Sequence, residues 1–208
     1  LPTLFERFIQ ADSGIARRLV PEITRFIGHG TQELIVGLVE QALLEQPGLA
    51  GQVRIDSVHA SMARHYADTT GTTAAPYEGC LEALERLRAA GVRLACVTNK
   101  ELRHAQRVLS VTGLAPYFDL TIGGDSLPEK KPHASVLRYV ISALEGQAAG
   151  TAHVGDSRID VIAARNAGVS AWAVPYGYNG GIPIAAAGPE RSFDGLLSMA
   201  RHVISGRA

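Results

Sequence analysis

The segment TAHVGDSRIDVIAARNAG, residues 151–168, constrains this chain more than any other stretch. A short apolar run ends in Gly155-Asp156, and a helical pattern carrying Asp160 begins at once. A strand that turns directly into a helix puts Asp156 at the carboxyl end of a parallel sheet, where open α/β folds bind their ligands. Asp156 and Asp160 are four residues apart, so from the first helical turn both carboxylates can project to one side and share a hard cation. The alternative is a helix N-cap followed by a solvated aspartate. The rest of the chain has to decide between them.

Strand and helix patterns alternate around this segment. Upstream, a helix with Leu81, Leu84 and Leu87 on one face reaches Gly91, where a C-terminal cap is wanted, and residues 92–97 read as a buried strand ending at Thr98-Asn99-Lys100. A helix over residues 101–112, a strand over 119–122 and the turn Gly123-Gly124-Asp125-Ser126 follow. A loop holding Lys130-Lys131-Pro132 then opens a helix with Val136, Leu137, Val140, Ile141 and Leu144 at core spacing. Downstream come a strand at residues 170–174 and a last amphipathic helix marked by Phe193, Leu196, Leu197, Ala200 and Ile204. This alternation predicts parallel βαβ units, hence an α/β fold with a doubly wound, Rossmann-like parallel sheet.

The first third of the chain has a different rhythm. Leu34, Ile35, Leu38, Val39, Ala42 and Leu43 recur at helical spacing until Gln46-Pro47-Gly48, and a second helix is expected over about residues 51–66. With no strand partner, residues 14–75 read as an α-helical cap domain inserted into a core made of residues 1–13 and 76–208. Leu1 to Phe5 could form a short strand, and residues 9–20 are compatible with a helix.

Twenty basic and twenty acidic residues leave no net charge among 208 residues, so no global field draws the chain to nucleic acid or an anionic membrane. An anionic ligand must be held by local groups. No apolar run approaches a membrane span. Cys80 and Cys96 fit no metal or redox spacing and read as reduced thiols of a cytoplasmic protein. The seven histidines show no pair three or four residues apart, so surface or capping roles are expected. The pattern is compatible with a monomer or a homodimer.

Because the strands of such a sheet all end on one side, Thr98, the loop reaching Lys131, and Asp156 should converge. A hydroxyl, an ammonium and one or two carboxylates suit a phosphoryl group with Mg2+: donor and cation stabilise charge on the equatorial oxygens, and the carboxylates hold the metal. Each has a plainer reading, Thr98 as a helix cap and Lys130-Lys131 as a solvated loop pair. A rival lies in Gly124-Asp125-Ser126-Leu127, which spells a serine-esterase signature with an Asp56/His59 pair, but the blocks stand in reversed order.

The ordered set VTNK (97–100), KKP (130–132) and GDSRID (155–160) resembles three of the four motifs of the haloacid dehalogenase superfamily. PYEGCLEALERLRAAGVRLACVTNK, AARNAGV and YGYNGGIPI are similar to its phosphoglycolate phosphatase branch, and IGHG (27–30) falls where that branch has a Gly-x-Gly in its helical cap. The resemblance implies a Mg2+-dependent phosphatase acting on a small phosphorylated metabolite such as 2-phosphoglycolate. It implies that Thr98 and Asn99 bind the phosphoryl oxygens, that Lys131 neutralises nucleophile and phosphate, and that Asp156 ligates Mg2+ with Asp160 completing or orienting that site. His29 is a candidate contact for the leaving group.

Two positions depart from the pattern. Ala134 stands where the family often has a second proline. More seriously, the family attacks phosphorus with the first carboxylate of an Asp-x-Asp on its first strand, and no Asp-x-Asp occurs in these 208 residues. A central strand is costly to omit. The expectation is therefore that the sequence is incomplete or altered near its start; a degenerate member that binds phosphate or Mg2+ without turnover is the alternative.

Overall fold

The computed structural model describes residues 31–45, 47–49, 54–177, 179 and 181–206. The expected strand at residues 1–5, the helix at 9–20 and His29 lie outside the described residues. Helix α1 (Thr31–Glu45) packs against α2 (Ile55–Thr69), with a single 3-10 turn at Pro47–Leu49 where the sequence places a stop.

Helix α3 (Cys80–Ala89) follows and ends, as its spacing predicts, with Gly91 in a left-handed conformation at φ 69°. Its buried face is Cys80, Ala83, Leu84 and Leu87, while Leu81 is exposed, a correction to the face read from the sequence. The face is set by close approach: Ala83 of α3 packs with Ala200 of α7 (Leu196–Ser205), and small residues at the contact let the two helices lie together.

The remaining elements alternate: β1 (Ala95–Val97), α4 (Leu102–Val111), β2 (Leu120–Ile122), α5 (Ala134–Ala143), β3 (Ala152–Gly155), α6 (Arg158–Ala167), β4 (Ser170–Ala173) and β5 (Arg191–Ser192). All pairings are parallel, as βαβ connections require. Among the described residues the strands form two hydrogen-bonded sets: β1 with β2, matching Ala95 to Leu120 and Val97 to Ile122, and β3–β4–β5, matching Gly155 to Ala173 and Trp172 to Arg191. Strand β5 is an addition that the sequence reading lacks.

Side chains alternate across β4, so its two faces define two layers. Ala171 and Ala173, both fully buried, meet Ala163, Ala164 and Ala167 of α6 and Leu137 of α5. Trp172 points to the opposite layer, with Val154 of β3, Leu87 of α3 and Met199 of α7. Helices cover both faces of the parallel strands, which is the doubly wound arrangement. Val97 of β1 packs both with the α6 layer and with the Ile122, Val136 and Val140 cluster, so the two strand sets share one helical layer through α5. Among the described residues no helix is long and apolar enough to cross a membrane.

Candidate active site

The carboxyl end of β1 sets the first group. The Thr98 N–H donates to Ile122 O (2.9 Å), carrying the parallel pairing one residue past the strand. Its hydroxyl oxygen accepts the Lys100 N–H (3.2 Å), which leaves the hydroxyl proton to be donated elsewhere. Two glycines make this turn possible. A Cβ on Gly124 would lie 2.2 Å from Asn99 O, and one on Gly123 would lie 2.3 Å from Leu102 N, so the turns after β1 and β2 touch backbone to backbone. Asp125 accepts the Leu102 N–H (2.6 Å) at the start of α4. Ser126 Oγ accepts the Gly123 N–H (2.9 Å), placing the esterase-like serine within a tight turn.

Asn99, buried, does something that the sequence did not disclose. Its amide donates through Nδ2 to Lys131 O (2.8 Å) and accepts at Oδ1 from Lys131 N (3.0 Å). The paired bonds clamp the backbone of Lys131 across 32 positions of sequence. Lys131 is therefore positioned from β1, and its side chain, also buried, runs to the point where the two strand sets end. There Nζ donates to Val97 O (2.7 Å) and to Asp160 Oδ1 (2.7 Å).

Asp160 is the most heavily engaged side chain in the region. Oδ1 also receives His153 Nε2 (3.2 Å), while Oδ2 accepts from the Ser157 hydroxyl (2.6 Å) and the Ser157 N–H (3.2 Å). Ser157 is the N-cap of α6 and Asp160 its N3 residue, so the pair forms a capping box. The cap position thus belongs to Ser157, one residue after Asp156. Gly155 permits the fit, because a Cβ there would lie 2.2 Å from Cβ and Cγ of Asp160. Burial pushes the Asp160 carboxyl up, but the His153 hydrogen bond and the Lys131 ammonium outweigh it and hold the group well below the usual carboxylate range. His153 is held down by burial, against the hydrogen bond to Asp160, and stays neutral at physiological pH.

Two histidines correct the expectation of surface or capping roles. His153 and Gly155 lie two apart on β3 and share a face, so the imidazole reaches the carboxylate that packs over the glycine. His104 is buried against the Tyr66 ring (centroids 4.6 Å apart). His133 does cap, accepting the Ser135 N–H at the start of α5.

Asp156 leaves the end of β3 beneath the loop that follows β4. Gly177, at φ 118°, lies so near that a Cβ would come within 1.9 Å of Asp156 Oδ2. Beside it opens a cleft of about 340 Å³ lined by Asp156, Pro175, Tyr176, Asn179 and Ile184. Asn179 Oδ1 accepts the Arg158 N–H (3.0 Å), tying that loop to the first turn of α6. Thr98, Asn99, Lys131 and Asp160 are thus joined by one chain of hydrogen bonds and backbone connections, and Asp156 is adjacent to it through Ser157.

The donor set can be tested against a cation. Among the described residues no three His, Cys, Asp or Glu side chains cluster as a metal cage, and Asp160 gives both oxygens to protein donors. One hard carboxylate beneath a close backbone loop suits Mg2+, which keeps several waters and takes one or two carboxylates plus substrate phosphate.

The chain belongs to the haloacid dehalogenase-like hydrolases: the profile of that family matches residues 15–174. Within the family it is phosphoglycolate phosphatase-like. It is 38% identical over 189 residues to a plasmid-encoded phosphoglycolate phosphatase of Cupriavidus necator, covering 91% of this chain and 80% of the relative. A phosphoglycolate phosphatase of Vibrio vulnificus is 35% identical over 178 residues, 86% of this chain and 78% of its own. Among solved structures, a predicted phosphoglycolate phosphatase from Haemophilus somnus superposes with a TM-score of 0.82 at 30% identity, covering 88% and 81% of the two chains.

Proposed function

We propose that this chain carries the phosphate- and Mg2+-binding apparatus of a phosphatase acting on a small phosphorylated metabolite resembling 2-phosphoglycolate. The observation that carries the reading is the buried Lys131 ammonium, held 2.7 Å from Val97 O and from Asp160 Oδ1 at the carboxyl ends of both strand sets. A fixed cation there neutralises a dianionic phosphoryl group without reorganising as charge develops.

The other residues take roles their contacts support. The Thr98 hydroxyl, its lone pair given to the Lys100 N–H, donates its proton to a phosphoryl oxygen. Asn99 positions Lys131 through its side chain and faces the phosphate with its backbone. Asp156 would hold Mg2+, with Asp160 orienting Lys131 and the first turn of α6. Bound there, Mg2+ would supply Lewis-acid stabilisation of charge on the phosphoryl oxygens. Helices α1 and α2 would belong to a cap over the strand ends, and Tyr66 near the end of α2 meets Lys100 of the phosphate turn.

Turnover through an aspartyl-phosphate needs a nucleophilic carboxylate facing Lys131, and the sequence has no Asp-x-Asp. A second reading is a truncated or degenerate member that binds phosphate and Mg2+ without hydrolysis. Phosphate release from 2-phosphoglycolate with Mg2+, compared between the chain and Asp156→Ala, separates the two. Turnover abolished by the substitution supports the enzyme; ligand-induced thermal stabilisation without turnover supports the binding protein. Neither effect, at saturating phosphate and Mg2+, would overturn both.

A further inference from the structure

An ionised carboxylate offers about four acceptor places, two at each oxygen. In Asp160, Ser157 fills both at Oδ2 through its hydroxyl and its N–H. At Oδ1 the Lys131 ammonium takes one place at 2.7 Å, and His153 Nε2 takes the other at 3.2 Å. Packing alone does not call for a histidine here. Its register partner in β4 is Ala171, part of an apolar layer with Val161, Ala163 and Ala164, and its side chain is 11% exposed. An imidazole in such a layer is costly unless it is hydrogen-bonded. Burial holds the ring below its ordinary range, so it supplies a hydrogen bond without setting a second positive charge beside Lys131 at neutral pH.

The lysine shows what that bond protects. An ammonium carries three N–H donors. Lys131 gives one to Val97 O and one to Asp160 Oδ1, and the third has no protein acceptor among the described residues. That proton is the one a phosphoryl oxygen can take at the carboxyl ends of the strands. Without the His153 donor, Oδ1 would keep an empty acceptor place in a buried site, and Lys131, already 2.7 Å away, is a donor that can turn to fill it. We infer that His153 is a positioning residue for phosphate capture: by filling the second acceptor place of Asp160 Oδ1, its Nε2–H keeps the third proton of Lys131 for the ligand. This rests on the phosphatase reading above and deepens it by adding a residue that acts on the phosphate only through Asp160 and Lys131.

The tautomer of His153 gives a test on the unaltered protein: two-bond 1H–15N spectra of the imidazole should show a proton on Nε2, and a bare Nε2 would overturn the inference. The functional test is isothermal titration of the full chain with inorganic phosphate in Mg2+, which does not depend on turnover. His153→Phe and His153→Leu, each without the donor, should bind about tenfold more weakly, as expected for one misdirected charge-assisted hydrogen bond. His153→Gln, whose side-chain amide can donate to Oδ1, should stay within about threefold of the wild type. The phosphate-induced shift of the Lys131 15Nζ resonance, assigned by its absence in Lys131→Met, should shrink in His153→Phe and return in His153→Gln. A merely structural ring would lower Tm without moving that signal. Wild-type phosphate affinity in both donor-free variants, or a Lys131 signal indifferent to His153, would overturn the inference while leaving the phosphate site standing. Failure of the wild type to bind inorganic phosphate would overturn the phosphate site and the inference together.

Discussion

The Lys131–Asp160 pair is where the structure makes its strongest energetic demand. Both side chains are 9% exposed and their charged atoms are 2.7 Å apart. In Asp160→Asn the shape survives, but the amide can satisfy Ser157 only by keeping its oxygen on that side. Its NH2 then faces the Lys131 ammonium and His153 Nε2, donor against donor. His153 can change tautomer and accept; Lys131 cannot, and is left with Val97 O alone. Breaking a buried pair by removing one partner costs about 3–5 kcal/mol, a large share of the roughly 5–15 kcal/mol that holds a typical domain folded. For a chain of this length that is a fall in Tm of roughly 6–20 °C. Lys131→Met should cost less, because Asp160 keeps three protein donors. A double-mutant cycle by urea denaturation at pH 7.5 measures the coupling, expected to exceed about 1 kcal/mol. A loss below about 1 kcal/mol for Asp160→Asn, or no coupling with Lys131→Met, would refute the claim that Asp160 positions the lysine.

Further predictions follow from single contacts. Thr98→Val removes one donor to a charged ligand and should weaken inorganic phosphate binding by about 10- to 100-fold with little change in stability, whereas Thr98→Ser should retain binding; calorimetry distinguishes them. Gly177→Ala would place a Cβ 1.9 Å from Asp156 Oδ2 at a positive φ, so the Mg2+-dependent rise in Tm should disappear. Acid should destabilise the protein: His153 and His104 titrate lower when folded than unfolded, and Asp160 lower still. The unfolded chain therefore binds more protons as pH drops. The contribution is complete above about pH 6.5 for the histidines and about pH 4 for Asp160, and is lost below. Denaturation midpoints between pH 8 and 5 should fall toward acid, with a flatter profile in His153→Gln; a rise toward pH 5 would contradict the assignment.

Much of this site was legible because βαβ logic is global. Thr98, Lys131 and Asp156 each follow a strand on its carboxyl side, and the structure joins the Thr98-Asn99 turn to Lys131 and Asp160 by hydrogen bonds, with Asp156 next to them in sequence through Ser157. The sequence also carried the glycines, but not their reasons: Gly155, Gly124 and Gly177 are required by Asp160, Asn99 and Asp156, contacts that no local spacing encodes. His153 was illegible for the same cause. A lone histidine in an apolar strand has no pattern partner, and its carboxylate arrives from the next helix. Leu81 misled because hydrophobicity was read without volume, where Ala83 decides the face by letting α7 approach. Strand β5 is only two exposed residues long, too short for a periodic signal.

Asp156 and Thr98 frame the proposed site for phosphate with Mg2+. Its most direct test is the thermal shift of the chain with inorganic phosphate and Mg2+ together, against each alone, in the wild type and in Asp156→Ala. Together, phosphate and Mg2+ should stabilise the wild type more than the sum of their separate effects, and Asp156→Ala should lose this excess while keeping its fold. No excess in the wild type, or the same excess without the Asp156 carboxylate, would contradict it.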